Sequence, residues 1–227
     1  MTAGDIASAV EGVRQRIARS AARAGRDASD VTIVGATKTV DGSRVAEALA
    51  AGIVDVGENR AQELLAKAPL LAAGDPAPRW HFFGRLQRNK IRDLAAVVVC
   101  WHSVDRVELA PVLGRHAPGA RVLVQVDLAG EPAKGGCEPA AVGDLVRVLQ
   151  EEGLAVDGLM TVPPRDLPAR PWFAQLAAMA RDQGLRELSM GMSDDFEDAV
   201  TEGATMVRLG RVLFGARPRP AGASAVR

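Results

Sequence analysis

The sequence contains no tyrosine, and its lysines are confined to Lys38, Lys67, Lys90 and Lys134, with arginine supplying the rest of the positive charge. Any chemistry that needs a primary amine therefore has few side chains to draw on. Cysteine is equally sparse: Cys100 and Cys137 resemble neither a disulfide framework nor a paired redox motif. With His81, His102 and His116 scattered among them, they have no zinc-ligand spacing, and no metal site is expected. Aromatic residues make up 4% of the chain and acidic and basic residues balance at 28 each, which excludes the basic field and stacking platforms that nucleic acid requires. No apolar run reaches membrane-spanning length, and the N-terminus lacks the basic-then-apolar order of a secretory signal. A cytoplasmic protein without membrane or nucleic-acid partners is expected.

What is present is a regular alternation. Ile6, Val10, Val13 and Ile17 recur every three to four residues, predicting a helix over roughly 3–24 that lies on the body with its arginines toward solvent. From residue 31 onward, short apolar or β-branched runs predict strands at 31–34, 53–56, 80–83, 97–101, 121–127, 156–160, 185–189 and 204–209. Helical patterns separate them at 44–51, 60–67, 88–94, 105–115, 138–152, 172–183 and 194–202, with a turn-rich excursion from Pro69 to Pro78. Eight strands divided by helices, without a break in composition, favour a single (β/α)8 barrel; an open doubly wound sheet stays the alternative, because periodicity does not show closure. The expected division is an N-terminal helix packed on the barrel (1–30), the barrel itself (31–218) and a flexible tail (219–227).

Several residues carry candidate chemistry. Lys38 closes the run Val31-Thr32-Ile33-Val34-Gly35-Ala36-Thr37 and would stand at the C-terminal rim, where barrel active sites lie. An amine there can condense with an aldehyde if burial keeps it neutral. Gly191-Met192-Ser193-Asp194 and Arg208-Leu209-Gly210 follow consecutive strands, and their backbone N–H groups, with the Ser193 hydroxyl, form a candidate phosphate nest. Ser193 as the cap of a helix starting at Asp194 is the competing reading. Alternation through Thr205-Met206-Val207-Arg208-Leu209 aims Arg208 into the mouth; a solvent or helix salt bridge is its alternative. Asn59 is placed to orient a ligand or cap a helix, and Glu58 to fix Lys38 or its loop. Met160 packs against a ligand ring or in the core. His81 reads as a packed, hydrogen-bonded residue. Lys134, with Glu131 and Gly135-Gly136, forms a charged, solvent-facing loop.

The ordered set of Lys38, Gly57-Glu58-Asn59, His81 with Gly84-Arg85-Leu86-Gln87-Arg88-Asn89-Lys90, Ser103-Val104-Asp105, Glu131 with Lys134 and Gly136, Gly158-Leu159-Met160, Leu188-Ser189-Met190-Gly191-Met192-Ser193-Asp194, Val207-Arg208, Gly210 and Phe214-Gly215 resembles the YggS/PROSC family of pyridoxal phosphate homeostasis proteins. The resemblance spans almost the whole chain. It implies the barrel half of fold-type III pyridoxal-phosphate enzymes such as alanine racemase, with Lys38 forming the internal aldimine. It further implies that Ser193, the nearby backbone and Gly210 hold the phosphate, and that Arg208 lies near the pyridine nitrogen. The implied role is to buffer, deliver or regulate pyridoxal 5'-phosphate without established turnover, so no residue is assigned as catalytic. Pyridoxal-phosphate-dependent apoenzymes are the expected protein partners, and a monomer is expected. An amino-acid racemase of the same fold type is the alternative, but racemases place a tyrosine opposite their lysine and carry a second β domain, and both are expected to be missing here. Asp127 stands where family members often have asparagine, and no binding role is assigned to it. A phosphate-binding barrel whose lysine never bonds covalently is the third reading.

Overall fold

Each apolar run forms a strand, and the strands close on themselves. In the computed structural model, which describes residues 3–215, β1 (Thr32–Ala36), β2 (Asp55–Glu58), β3 (Arg79–Phe82), β4 (Val98–Val104), β5 (Arg121–Gln125), β6 (Ala155–Met160), β7 (Glu187–Ser189) and β8 (Met206–Leu209) pair in parallel in chain order. Pairing of β8 with β1 completes the barrel and removes the open sheet from consideration. The helices α2 (Gly42–Ala50), α3 (Ala61–Leu71), α4 (Arg88–Leu94), α5 (Ala110–His116), α6 (Val142–Glu151), α7 (Arg170–Asp182) and α8 (Phe196–Thr201) occupy the connections, while α1 (Ala3–Arg23) precedes β1 and α9 (Arg211–Phe214) follows β8. The expected tail at 219–227 lies outside the described residues.

Alternation along each strand divides the apolar side chains into two cores. Val56, Phe82, Trp101, Val124, Leu159, Val207 and Leu209 face outward into the layer shared with the helices. Val34, Cys100, Leu123, Met160 and Met206 form a separate, smaller cluster inside the barrel. The barrel interior is therefore only partly apolar, and the buried side chains His81, His102, Gln125, Ser189 and Arg208 belong to the same strands.

Two local expectations change. The helix predicted to end near Lys67 continues as α3 to Leu71 with Pro69 inside it. A proline there forfeits one backbone hydrogen bond, and the burial of Ala68 and Leu71 holds the last turn in place. The α1 arginines do not all face solvent. Arg16 pairs with Glu197 at 2.8 Å and lies 4.4 Å over the Phe196 ring, while Arg14 reaches the Gly52 carbonyl at 3.3 Å. These contacts tie α1 to α8 and to the end of α2, beside the buried stripe of Ile6, Val10, Val13 and Ile17.

Candidate functional site

Because every strand is parallel, the residues that follow them gather at one mouth. Lys38 lies two positions beyond β1, in phase with the inward-facing Val34. Both of its neighbours are fixed. The buried Thr37 donates its N–H to the Gly57 carbonyl (2.9 Å) and its hydroxyl to Glu58 Oε1 (2.8 Å), and its carbonyl accepts from Lys67 Nζ (2.6 Å). Thr39 has a φ of 62°, unusual for a β-branched residue, and its N–H donates to Glu63 at 2.8 Å. Glu58 is fully buried and pairs with Lys67 at 2.5 Å, so of its two expected roles it fixes the loop. Burial pushes the Glu58 carboxyl above its ordinary pKa, against the hydrogen bonds from Lys67 and Thr37. Lys38 and Gly210 line one cavity of about 120 Å³, together with Ala36, Asp41, Arg44 and Phe214.

The two turns near the C-terminus are joined to each other. Ser193 Oγ accepts from the Val212 N–H at 3.2 Å, so the hydroxyl caps α9 across the mouth. The expected cap of a helix beginning at Asp194 is not formed: α8 starts at Phe196, behind Asp195, because Asp195 Oδ1 accepts from the Met192 N–H at 2.6 Å. That bond also occupies the Met192 amide, which is therefore not among the donors turned to the mouth. Gly191 has a φ of +92°, and a Cβ there would stand 2.6 Å from Ala199 Cβ. Its carbonyl accepts from the Arg208 N–H at 2.9 Å. An Arg211–Asp194 ion pair spans the same two turns.

Arg208 is only 5% exposed, so neither solvent nor a helix salt bridge accounts for it. Nη1 donates to the carbonyl and hydroxyl of Ser189 (2.7 Å each), and Nη2 to the Thr161 carbonyl (2.9 Å). Burial lowers its pKa to about 10, with the charge of Asp195 opposing the shift. Behind it, Ser189 Oγ lies 2.7 Å from His102 Nδ1, His102 Nε2 lies 2.7 Å from His81 Nδ1, and His81 Nε2 lies 3.0 Å from Asp55 Oδ1. Arg79 closes the row on Asp55 at 2.9 Å. Burial works against the Asp55 carboxylate, yet hydrogen bonds from His81 and Arg79 hold its pKa below the usual value. Burial drives the His102 pKa well below the ordinary imidazole value.

Cys100 joins the two histidines, with one ligand atom from each lying within 4.8 Å of the others. Spacing along the chain gives no sign of this cluster. Its imidazoles are bonded to each other, and burial raises the Cys100 thiol to about 12, so it stands as a hydrogen-bonded pair beside a neutral thiol. His81 is packed and hydrogen-bonded as expected, but His102, Asp55 and Ser189 were not singled out by the sequence. The signal that would have found them is the two-residue alternation that places Arg208. The same alternation turns His81, Cys100 and His102 inward beside Met206 and Arg208.

The remaining candidates are dispersed around the mouth. Met160 sits in the interior cluster with Val34, Leu123 and Met206. Asn59 lines a neighbouring cavity of about 290 Å³ with Arg60, Phe82, Arg85 and Lys90, apart from the cavity of Lys38. Its Oδ1 is buried and has no hydrogen-bond partner among the described residues. Lys134, expected to face solvent, is instead pinned by Glu131 (2.5 Å) and by the Pro163 carbonyl (2.9 Å).

Residues 11–218 match the family model of the alanine racemase N-terminal domain. The chain is 41% identical over 232 residues to a pyridoxal phosphate homeostasis protein of Pseudomonas aeruginosa, covering 96% of this chain and 99% of that one. It is 35% identical over 227 residues to a protein of the same description from Escherichia coli, covering 94% and 97%. Among solved structures it is similar to PipY of Synechococcus elongatus with pyridoxal phosphate bound, at 33% identity and a TM-score of 0.79, covering 92% of this chain and all of that one.

Proposed function

This chain belongs to the YggS/PROSC family of pyridoxal phosphate homeostasis proteins, and from that premise we propose that its barrel mouth holds pyridoxal 5'-phosphate as a reversible Schiff base on Lys38. The observation that carries the reading is the joining of distant segments: Lys38 and Gly210 line one cavity, and the Ser193 hydroxyl ties the 191–194 turn to the Val212 N–H.

The residues present fit the group. Ser193, Gly191, Gly210 and the start of α9 offer a cradle for its phosphate, and Gly191 takes the positive φ of this turn where a Cβ would run into Ala199 of α8. Met192 contributes through its side chain, since its amide is committed to Asp195. Met160 would pack beneath the ring, and the orphaned Asn59 Oδ1, in the neighbouring cavity, is an acceptor available at the rim. When bound, the cofactor would supply an aldehyde, and Lys38 would be the amine that condenses with it, with loss of water. Arg208 would stand toward the pyridine nitrogen, where its fixed positive charge would disfavour protonation. That weakens the ring as an electron sink and favours retention of the cofactor over carbanion chemistry. A racemase needs a second base at the mouth, and this chain has no tyrosine, while both barrel histidines are buried and bonded to each other. Transfer to apoenzymes by a monomeric carrier completes the reading.

Comparison of pyridoxal phosphate with pyridoxal tests the cradle. Pyridoxal is expected to bind at least about 100-fold more weakly, roughly 2.7 kcal/mol. Only the phosphorylated form should shift the backbone amide resonances of Gly191, Ser193, Gly210 and Val212. Equal affinity for the two compounds, or no movement of those amides, would reject the assignment.

A further inference from the structure

We propose that Asp55, His81, His102 and Ser189 form a one-way hydrogen-bond relay through the barrel interior that positions Arg208, so that groups at the closed end of the barrel set the geometry of the mouth. The inference rests on the reading above only where it takes Arg208 to face the cofactor.

The direction follows from what the two ends are able to do. A guanidinium only donates and an ionised carboxylate only accepts. Ser189 Oγ accepts from Arg208 at 2.7 Å, and its own proton is donated to His102 Nδ1 at 2.7 Å. The His102 proton then resides on Nε2 and is donated to His81 Nδ1 at 2.7 Å. His81 carries its proton on Nε2 and donates it to Asp55 at 3.0 Å. Each link holds one proton, and both imidazoles are neutral Nε2–H tautomers. Reversing the row with neutral rings would set a bare His81 nitrogen against the Asp55 carboxylate.

Arg208 needs such support. Its hydrogen-bond acceptors are neutral oxygens of Ser189 and Thr161, and no carboxylate lies within ion-pair distance among the described residues. The charged groups around the row are Arg79 on Asp55 at one end, Arg121, whose charge acts on His102, and Asp195, which interacts with Arg208 through space, at the other end. Aligned dipoles in a buried chain reinforce one another, so the guanidinium is held by the row's polarity in place of a directly bonded anion. Asp55 and Arg79 open their strands, so they stand at the end of the barrel opposite Lys38. A change there should be felt at the mouth only through the relay.

The test begins with nitrogen-15 NMR of the imidazoles in cofactor-free protein, followed by pyridoxal phosphate titration of Ser189→Ala and Asp55→Asn. Both histidines are expected as single Nε2–H tautomers. Each variant should bind the cofactor at least about tenfold more weakly and shift its absorption maximum. A doubly protonated ring, an Nδ1–H tautomer, or two variants with wild-type affinity and absorption would overturn the relay. If the wild-type protein binds no cofactor, the functional reading fails separately. The relay is then decided by the Arg208 guanidinium protons: their faster exchange in Asp55→Asn upholds it, and unchanged exchange refutes it.

Discussion

Replacing Lys38 with alanine is expected to eliminate the borohydride-trapped pyridoxal phosphate adduct completely and to weaken cofactor binding by at least about tenfold, roughly 1.4 kcal/mol. The fold should survive. The loop is held through Thr37, whose partners are Gly57, Glu58 and Lys67, and through the Thr39 N–H on Glu63; none of these bonds is made by the Lys38 side chain. Residual binding should persist through the phosphate cradle, since Ser193 and Gly210 are unaltered. The measurement is mass spectrometry after reduction, paired with an absorption titration. A variant that keeps the wild-type spectrum and stoichiometry would leave a phosphate-binding barrel with a bystander lysine. Of the remaining amines, Lys67 is committed to Glu58 and Thr37, and Lys134 to Glu131 and Pro163.

Gly84→Ala should have a large effect on stability. A Cβ at this position would stand 1.9 Å from the Asn59 carbonyl oxygen and 2.4 Å from its carbon, inside the backbone that leads from β2 into α3. Gly84 cannot swing aside, because its own carbonyl accepts from the buried Ser103 hydroxyl at 2.5 Å. Overpacking against backbone is expected to cost about 3 kcal/mol or more. For a chain of this size that lowers Tm by about 6–12 °C. Asn59 directly follows β2, whose last residue, Glu58, anchors the Lys38 loop, so pyridoxal phosphate affinity should fall together with stability. Thermal unfolding followed by circular dichroism checks the first effect and cofactor titration the second. An unchanged Tm would mean that the β2–α3 turn is far softer than its packing indicates.

The sequence carries the architecture because strand and helix signals are local. Runs such as Val31-Thr32-Ile33-Val34 and Val97-Val98-Val99 lie at or within one residue of their strands, and the Ile6–Val10–Val13–Ile17 stripe is buried as its spacing requires. Closure is legible only as a strand count, since nothing local distinguishes β8 pairing with β1 from an open edge. The site is less legible for the same reason. The partnership of Glu58 with Lys67 depends on α3 folding back against β2, and the Asp195 bond that takes up the Met192 amide is a turn detail that residue type does not reveal. The His81–His102 contact exists only because the β3–β4 register sets His81 beside Cys100, bringing His102 within reach. Sequence spacing alone cannot supply that register, although inward alternation names both residues once the barrel is accepted.

Reductive trapping of the wild-type protein with pyridoxal phosphate, followed by proteolysis and peptide mapping, tests the central assignment most directly. The account predicts a single reduced adduct on the peptide containing Lys38. An adduct carried instead by Lys67, Lys90 or Lys134, or no adduct at all under saturating cofactor, would contradict it.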